Sequence, residues 1–233
     1  MNTWKTKSGY VITKLLSGRS NVFFLSNGNK SIIIDTSIKM LWRVLDKKIR
    51  SKKIRKIDYL ILTHAHFDHV ANANRLKRDY SSLVFIQNME AEYLKKGKNV
   101  EVKGTILFSK IISTFLGGKI IKYMKYEPCE YDYIVENKFD LSDYGFNAYI
   151  IHTPGHTKGS MSLIVDDEVA IVGDTMFGVF KSSVFPPFAE NREEIIKSWG
   201  KLLETNCLIF LPSHGKEKTR EQVEIDYNKR KIK

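Results

Sequence analysis

Cysteine is scarce in this chain. Cys129 and Cys207 are the only two among 233 residues, too few and too far apart for a disulfide framework, so free thiols in a reducing compartment are expected. Long hydrophobic runs are missing as well. No stretch approaches the ~18 apolar residues of a membrane helix, and Met1–Lys7 has no apolar run after its lysines of the kind a signal peptide carries. A soluble, cytoplasmic protein follows as the expectation. Acidic residues are outnumbered, 26 Asp+Glu against 38 Lys+Arg, for a formal net charge of +12. That excess raises nucleic acid or an anionic surface as a partner. The densest basic runs, 47–56 and 229–233, lack the interleaved aromatics on which bases would stack, so they read as solvated surface and nucleic acid is disfavoured. No internal repeat at a period of roughly 20 to 50 residues is visible.

What is present suffices for a core, with 42% hydrophobic and 12% aromatic residues. One domain spanning 1–233 is expected. Residues 10–16 and 21–25 read as strands, with Asn27-Gly28-Asn29 a hairpin signal before Ile32-Ile33-Ile34. A helical pattern runs from Ile38 to Ile49, a strand occupies 57–63, a helix 70–80 and a short buried strand 83–86. Strand, helix, strand in that order implies a right-handed crossover and a partly parallel sheet. From 88 to 124 the pattern turns helical and looks inserted. An apolar stripe at Ile106, Leu107, Ile111, Ile112, Phe115 and Leu116 leaves three readings open: core packing, a lid over a site, or a membrane-surface helix. Four strands follow at 131–135, 146–151, 161–165 and 169–172, with Asp166-Asp167 as a hairpin turn. A helix at 193–203 has Asn191 as its cap, a last strand occupies 208–211, and a charged terminal helix from Thr219 is expected to fray.

Chemistry concentrates in His64-Ala65-His66-Phe67-Asp68-His69, directly after strand 57–63. Residues i and i+2 at a strand end point the same way, so His64 and His66 can reach one ion, while Asp68 and His69 fall in the turn beyond and can face a second. A solvated, His-rich helix start with Asp68 as cap is the plain alternative. Three later stretches each put a ligand type just past an apolar run: His152-Thr153-Pro154-Gly155-His156-Thr157, Gly173-Asp174-Thr175 and Pro212-Ser213-His214-Gly215. Pro154-Gly155 forbids a helix between His152 and His156, which makes His152 a structural histidine or one bonded behind a ligand. Asp35, at the end of the Ile32–Ile34 strand, either begins a turn or holds a metal-binding histidine from behind. Thr153, Thr157 and Ser160 read as turn residues.

Taken in order, these stretches resemble the metallo-β-lactamase superfamily, nearest its glyoxalase II-like and lactonase-like hydrolases, over residues 10–216. The resemblance implies an α/β fold, a four-layer αββα sandwich, here with the helical insertion at 88–124. It also implies two divalent metal ions, zinc first, with iron or manganese also compatible with such ligands. His64, His66 and His156 would hold the first ion, Asp68, His69 and His214 the second, and Asp174 would bridge both. Asp68 and Asp174 would then be the catalytic carboxylates, with a bridging hydroxide as nucleophile on a small ester, thioester or lactone. The superfamily's phosphodiesterases or ribonucleases and its iron-dependent sulfur oxygenases are the alternative activities. Zinc β-lactamases commonly place a cysteine where Asp174 stands, and many lactonases a tyrosine where Phe177 stands. The stretch Gly173–Phe177 resembles the glyoxalase II version. The insertion at 88–124, with Phe177, Phe180, Phe185 and Phe188 after Asp174, suggests a small-molecule substrate with an apolar group near the metals, and core packing is the alternative reading of those phenylalanines.

Overall fold

A computed structural model describes residues 2–100 and 124–231. Two sheets carry the chain. The first contains β1 (Thr3–Lys5), β2 (Val11–Leu16), β3 (Val22–Ser26), β4 (Ser31–Ile34), β5 (Tyr59–Ile61), β6 (Leu83–Gln87) and β7 (Tyr133–Val135), in that order. Pairing is antiparallel from β1 to β4 and parallel from β4 to β7. The second contains β8 (Lys138–Asp140), β9 (Ala148–His152), β10 (Met161–Val165), β11 (Val169–Gly173), β12 (Ile209–Pro212) and β13 (Lys218–Thr219), antiparallel except where β11 meets β12.

The period-2 alternation of the strands sorts side chains into layers. Ile32, Ile34, Tyr59, Ile61 and Phe85 face Ile150, Leu163, Val165 and Ile171 in the core between the sheets. The alternate residues Ile33, Leu60, Leu62, Val84 and Ile86 pack outward under α1 (Trp42–Ser51), α3 (Ala73–Tyr80) and α4 (Asn88–Lys96); the short α2 (Phe67–Val70) precedes α3. On the far side Ile164, Ala170, Val172 and Phe210 pack against Ile195, Trp199 and Leu202 of α5 (Arg192–Glu204) and Val223 of α6 (Arg220–Lys231). The result is a helix, sheet, sheet, helix sandwich.

Local chemistry fixes the ends of elements. Asn27 Oδ1 accepts from the backbone N–H of Asn29 and Lys30 (2.9 and 2.7 Å), closing the first hairpin. Asp166 and Asp167 both take left-handed backbone at the β10–β11 turn. Asn191 caps α5 by accepting from Glu193 and Glu194.

The terminal helix differs from expectation. Instead of fraying, α6 is docked: Asp226 is buried and accepts from Val184 N–H (2.9 Å), Ser183 Oγ (2.8 Å) and Arg230 Nε (2.9 Å). Arg220 meanwhile donates to carbonyls at the end of α5. The segment expected to be inserted at 88–124 is seen as α4 at its start, and its apolar stripe at 106–116 lies outside the described residues. Among the described residues no helix is long and apolar enough to cross a membrane.

Parallel pairing of β4 with β5, and of β11 with β12, sends four strand ends to one edge of the sandwich. There the sheets are joined by Met161 N–H donating to Thr63 O (2.9 Å) and Asn21 Nδ2 donating to Pro212 O (2.8 Å). Gly173 sits at this junction with φ +54, where a Cβ would come within 2.8 Å of Thr63 Cβ. Gly173→Ala is therefore expected to lose roughly 3 kcal/mol, from left-handed strain plus overpacking. Denaturant titration checks this, and an unchanged midpoint would contradict the close approach.

Candidate metal centre

The edge where β4, β5, β11 and β12 end collects the polar groups. After β5 the chain bends at Thr63–His64, is extended at His66 and then turns into α2, which brings His64 and His66 into one cluster while Asp68 and His69 lie on the helical turn. His156 comes from the loop after β9, Asp174 directly follows β11, and His214 lies two residues past β12. Three groups of donor atoms form: His64, His66 and His156; His64, His69 and Asp174; and Asp68, His69 and His214. Within each, the atoms lie no more than 4.8 Å apart.

Separations inside the cluster are short. His66 Nδ1 is 2.8 Å from His64 Nε2 and 3.1 Å from His156 Nε2. Asp174 Oδ2 is 3.3 Å from His214 Nε2 and 3.5 Å from His156 Nε2, while its Oδ1 is 3.7 Å from His69 Nε2. Asp68 stands 3.5 Å from His214 and 3.7 Å from His69. Donors about 2.0–2.1 Å from one tetrahedral ion sit roughly 3.4 Å from each other, so this spacing fits shared cations. His69 Nε2, His66 Nε2 and Asp174 Oδ1 are buried with no hydrogen-bond partner among the described residues. Buried polar atoms left unpaired cost free energy, and a cation would satisfy His69 Nε2 and Asp174 Oδ1, which face each other in the cluster.

Charge supports the same fit. Burial, reinforced by neighbouring imidazoles, lowers His64 and His66 well below the ordinary histidine value, and burial also lowers His156 against the pull of Asp174. All three rings are thus neutral with lone pairs available, as metal ligands must be. Burial opposes charging His69, yet Asp174, Asp68 and Asp35 outweigh it and raise the ring to about 10. Asp174 is held below the usual carboxylate range because His214, His69 and His156 overcome its burial. The carboxylates around His69 create a place that calls for positive charge, which a divalent ion supplies.

The bonds behind the cluster set ring orientation. Asp35 is fully buried, with its Oδ2 2.8 Å from His69 Nδ1. It also accepts from Thr63 N–H (2.9 Å), Thr63 Oγ1 (2.9 Å) and Ser213 Oγ (3.0 Å). Thr63 Oγ1 in turn lies 3.1 Å from His64 Nδ1, so one carboxylate braces two imidazoles. His156 Nδ1 is 2.8 Å from the Phe188 carbonyl, which directs the Nε2 lone pair into the cluster. Phe177 stacks on His214 with centroids 4.7 Å apart.

The superfamily pattern of metallo-beta-lactamases matches residues 17–214. The chain belongs to the metallo-beta-lactamase superfamily. It is 32% identical to a probable metallo-hydrolase of Methanocaldococcus jannaschii over 160 residues, 69% of each chain. An atrochrysone carboxyl ACP thioesterase of Aspergillus fumigatus is 24% identical over 218 residues, 91% of this chain and 57% of that enzyme. In three dimensions an archaeal metallo-beta-lactamase superfamily protein from Sulfolobus tokodaii superposes with a TM-score of 0.66 at 21% identity, covering 94% of this chain and 85% of that one, a likeness of fold.

For this superfamily member the structure brings all seven sequence-derived ligand residues together, and puts Asp35 behind His69. His152 departs from the reading that places it behind a ligand. Its Nε2 bonds the Lys158 carbonyl (2.7 Å), bracing the 153–158 loop, and the ring lines a shallow cavity with Asn137, Tyr149 and Lys201. Three further residues, Thr63, Ser213 and Glu90, bond to the groups that carry the cluster without standing out in the sequence. The first two flank named motifs, whereas Glu90 belongs to no motif.

Glu90 is 1% exposed, and burial lifts its carboxyl to about 7 despite hydrogen bonds from Thr157, Ala65 and Gly159. Against an ordinary value of 4.5 the shift corresponds to on the order of 3 kcal/mol. Because the folded value is raised, that stability is fully present below pH ~4.5 and is lost as pH climbs through about 7. In the metal-free protein one glutamate carboxyl carbon is expected to titrate near 7 by NMR. All glutamates titrating in the normal range would contradict it.

Proposed function

We propose that this chain is a dinuclear metal-dependent hydrolase of the glyoxalase II-like branch, acting as one domain on a small ester, thioester or lactone, with thioesters favoured. Its broad class, a metal-dependent hydrolase, follows from the superfamily. The observation that carries the finer reading is the position of Asp174, whose two oxygens face His69 on one side and His156 and His214 on the other. A carboxylate so placed can be shared between His64, His66 and His156 holding one ion and Asp68, His69 and His214 holding another. Divalent ions there, zinc first among the candidates, supply a Lewis acid and water acidified towards neutrality.

The chain's own residues do the rest. Neutral His64, His66 and His156 present lone pairs, Asp35 fixes two of the rings, and Asp68, on the rim, is placed to accept a proton from the attacking water. Thioesters are favoured by the leaving group. A thiol ionises near 8.5, so it departs as thiolate without a donated proton, whereas an alkoxide needs one. Phe177 stacks on His214 and brings no hydroxyl to that position. The thioesterase relative points the same way. A cavity of ≈ 510 Å³ over Glu90 combines Met89 and Tyr93 with Lys98 and Lys125, while its third lysine, Lys158, pairs with Glu190 (3.1 Å); two lysines beside apolar side chains suit an acyl group on an anionic carrier. Cys129 and Cys207 are buried, with burial lifting each thiol to about 11, so neither supplies a nucleophile.

Elemental analysis is expected to find about two metal ions per chain, and the loaded protein to hydrolyse short acyl thioesters. A fully loaded protein inert towards thioester, ester and lactone panels would overturn the reading.

A further inference from the structure

We propose that Glu90, which is no part of the ligand set, is a positioning residue that fixes the distance between the His64/His66 turn and the His156 loop. The inference rests on the reading that His64, His66 and His156 hold one cation together. Glu90 lies in the first turn of α4, where the helix N-terminus favours an anionic side chain and Gln87 caps the backbone by accepting from Met89 N–H (2.6 Å). Its two oxygens are divided between the two loops. Oε2 accepts from the backbone N–H of Ala65, the residue between His64 and His66. Oε1 accepts from Thr157 Oγ1, next to His156, and from Gly159 N–H (3.2 Å).

One rigid carboxylate therefore spans two segments that lie 90 residues apart, as the pair His66 and His156 shows. The loop side is stiff enough to transmit the constraint. Thr157 O accepts from Gly155 N–H (2.9 Å), and Ser160 Oγ accepts from Thr157 N–H (3.1 Å). Gly159 makes the approach possible, since a Cβ there would press on Glu90 Cγ and Cδ. A glutamine cannot replace this strap. Its amide has one acceptor oxygen; with that oxygen on Ala65 N–H the NH₂ can donate to the Thr157 hydroxyl but meets the Gly159 N–H, and with the amide flipped it meets the Ala65 N–H, so in either orientation one backbone bond of the strap is lost.

A side chain that only supported the fold would weaken both cation positions and overall stability together. A strap between these two loops weakens one position selectively. The test is cobalt(II) titration of the metal-free full-length protein against a chelating competitor, read by the visible cobalt spectrum, with His156→Ala and His214→Ala assigning the two binding steps. Glu90→Gln is expected to weaken the His156-dependent step by about 10- to 100-fold, the range for partners that orient ligands, and to leave the His214-dependent step within a few-fold. Thr157→Val should weaken the same step, and Thr157→Ser, which keeps the hydroxyl, should restore it.

Equal affinities in wild type and Glu90→Gln would overturn the inference, as would a parallel loss at both steps. If the wild-type protein takes up no cobalt, the two-cation reading fails. The strap is then decided by NMR of the metal-free protein. Glu90→Gln must shift the His64 and His156 ring signals while leaving His214 in place, and unmoved rings would sink it.

Discussion

Asp174→Asn is expected to lower kcat/KM for thioester hydrolysis by at least about 10³-fold, roughly 4 kcal/mol of transition-state stabilisation, and to leave the protein with fewer than two ions per chain. The carboxylate is within 3.3–3.7 Å of His214, His156 and His69, so it faces both halves of the cluster. An amide of the same shape keeps one acceptor oxygen but loses the negative charge. It then sets an NH₂ against a centre meant for cations. Because Asp174 is buried, water cannot substitute for the lost charge. Kinetics and elemental analysis on one preparation check both arms. A variant that keeps two ions and near-normal turnover would mean the carboxylate bridges nothing.

Asp35→Ala is expected to cost about 3–5 kcal/mol of folding stability, the range for breaking a buried, hydrogen-bonded charge pair. Thr63 N–H, Thr63 Oγ1, Ser213 Oγ and His69 all lose their acceptor at once. Asp35→Asn separates this structural share from ring orientation. It keeps the volume but has one acceptor oxygen, so an NH₂ turned towards His69 Nδ1 would stop that nitrogen donating. The Asn variant is accordingly expected to unfold at a midpoint between wild type and Ala, yet to lose the ion bound near His69 about as fully as Ala does. Denaturant titration and metal analysis report the two effects separately. Full metal retention in the Asn variant would show that Asp35 acts on the fold alone.

The sandwich was legible wherever a short continuous apolar run lay between turn signals. Ile32–Ile34, Met161–Val165 and Val169–Val172 read as strands because both faces of each are buried in apolar layers. β1, β8 and β13 span two or three residues, too short for any period to show. Charge misled at α6, whose polar composition hides Val223 and Asp226 on its packed side.

The histidines and aspartates of the cluster stood out because such residue types seldom follow apolar runs so densely. The bonds that orient them did not, since those depend on which side chain meets which backbone group across the sandwich. His152 and His156 look alike as letters near a strand end, and their partners alone tell them apart. Glu90 and Glu92 look equally like surface charge on an amphipathic helix, yet one is buried against two loops and the other pairs with Lys96 at the surface.

The hydrogen bonds joining the sheets at Thr63 and Asn21 bear on how the protein comes into being. His64, His66, Asp68 and His69 are made early in synthesis, whereas His156, Asp174 and His214 arrive from the second sheet. Neither half can surround an ion alone, and the halves meet only after contacts far apart along the chain have closed, a slow class of event. A nascent chain therefore offers passing metals only partial, exchangeable coordination. Tight uptake becomes a report that the two sheets have docked, so the ion is recruited by the finished fold and does not serve as its nucleus.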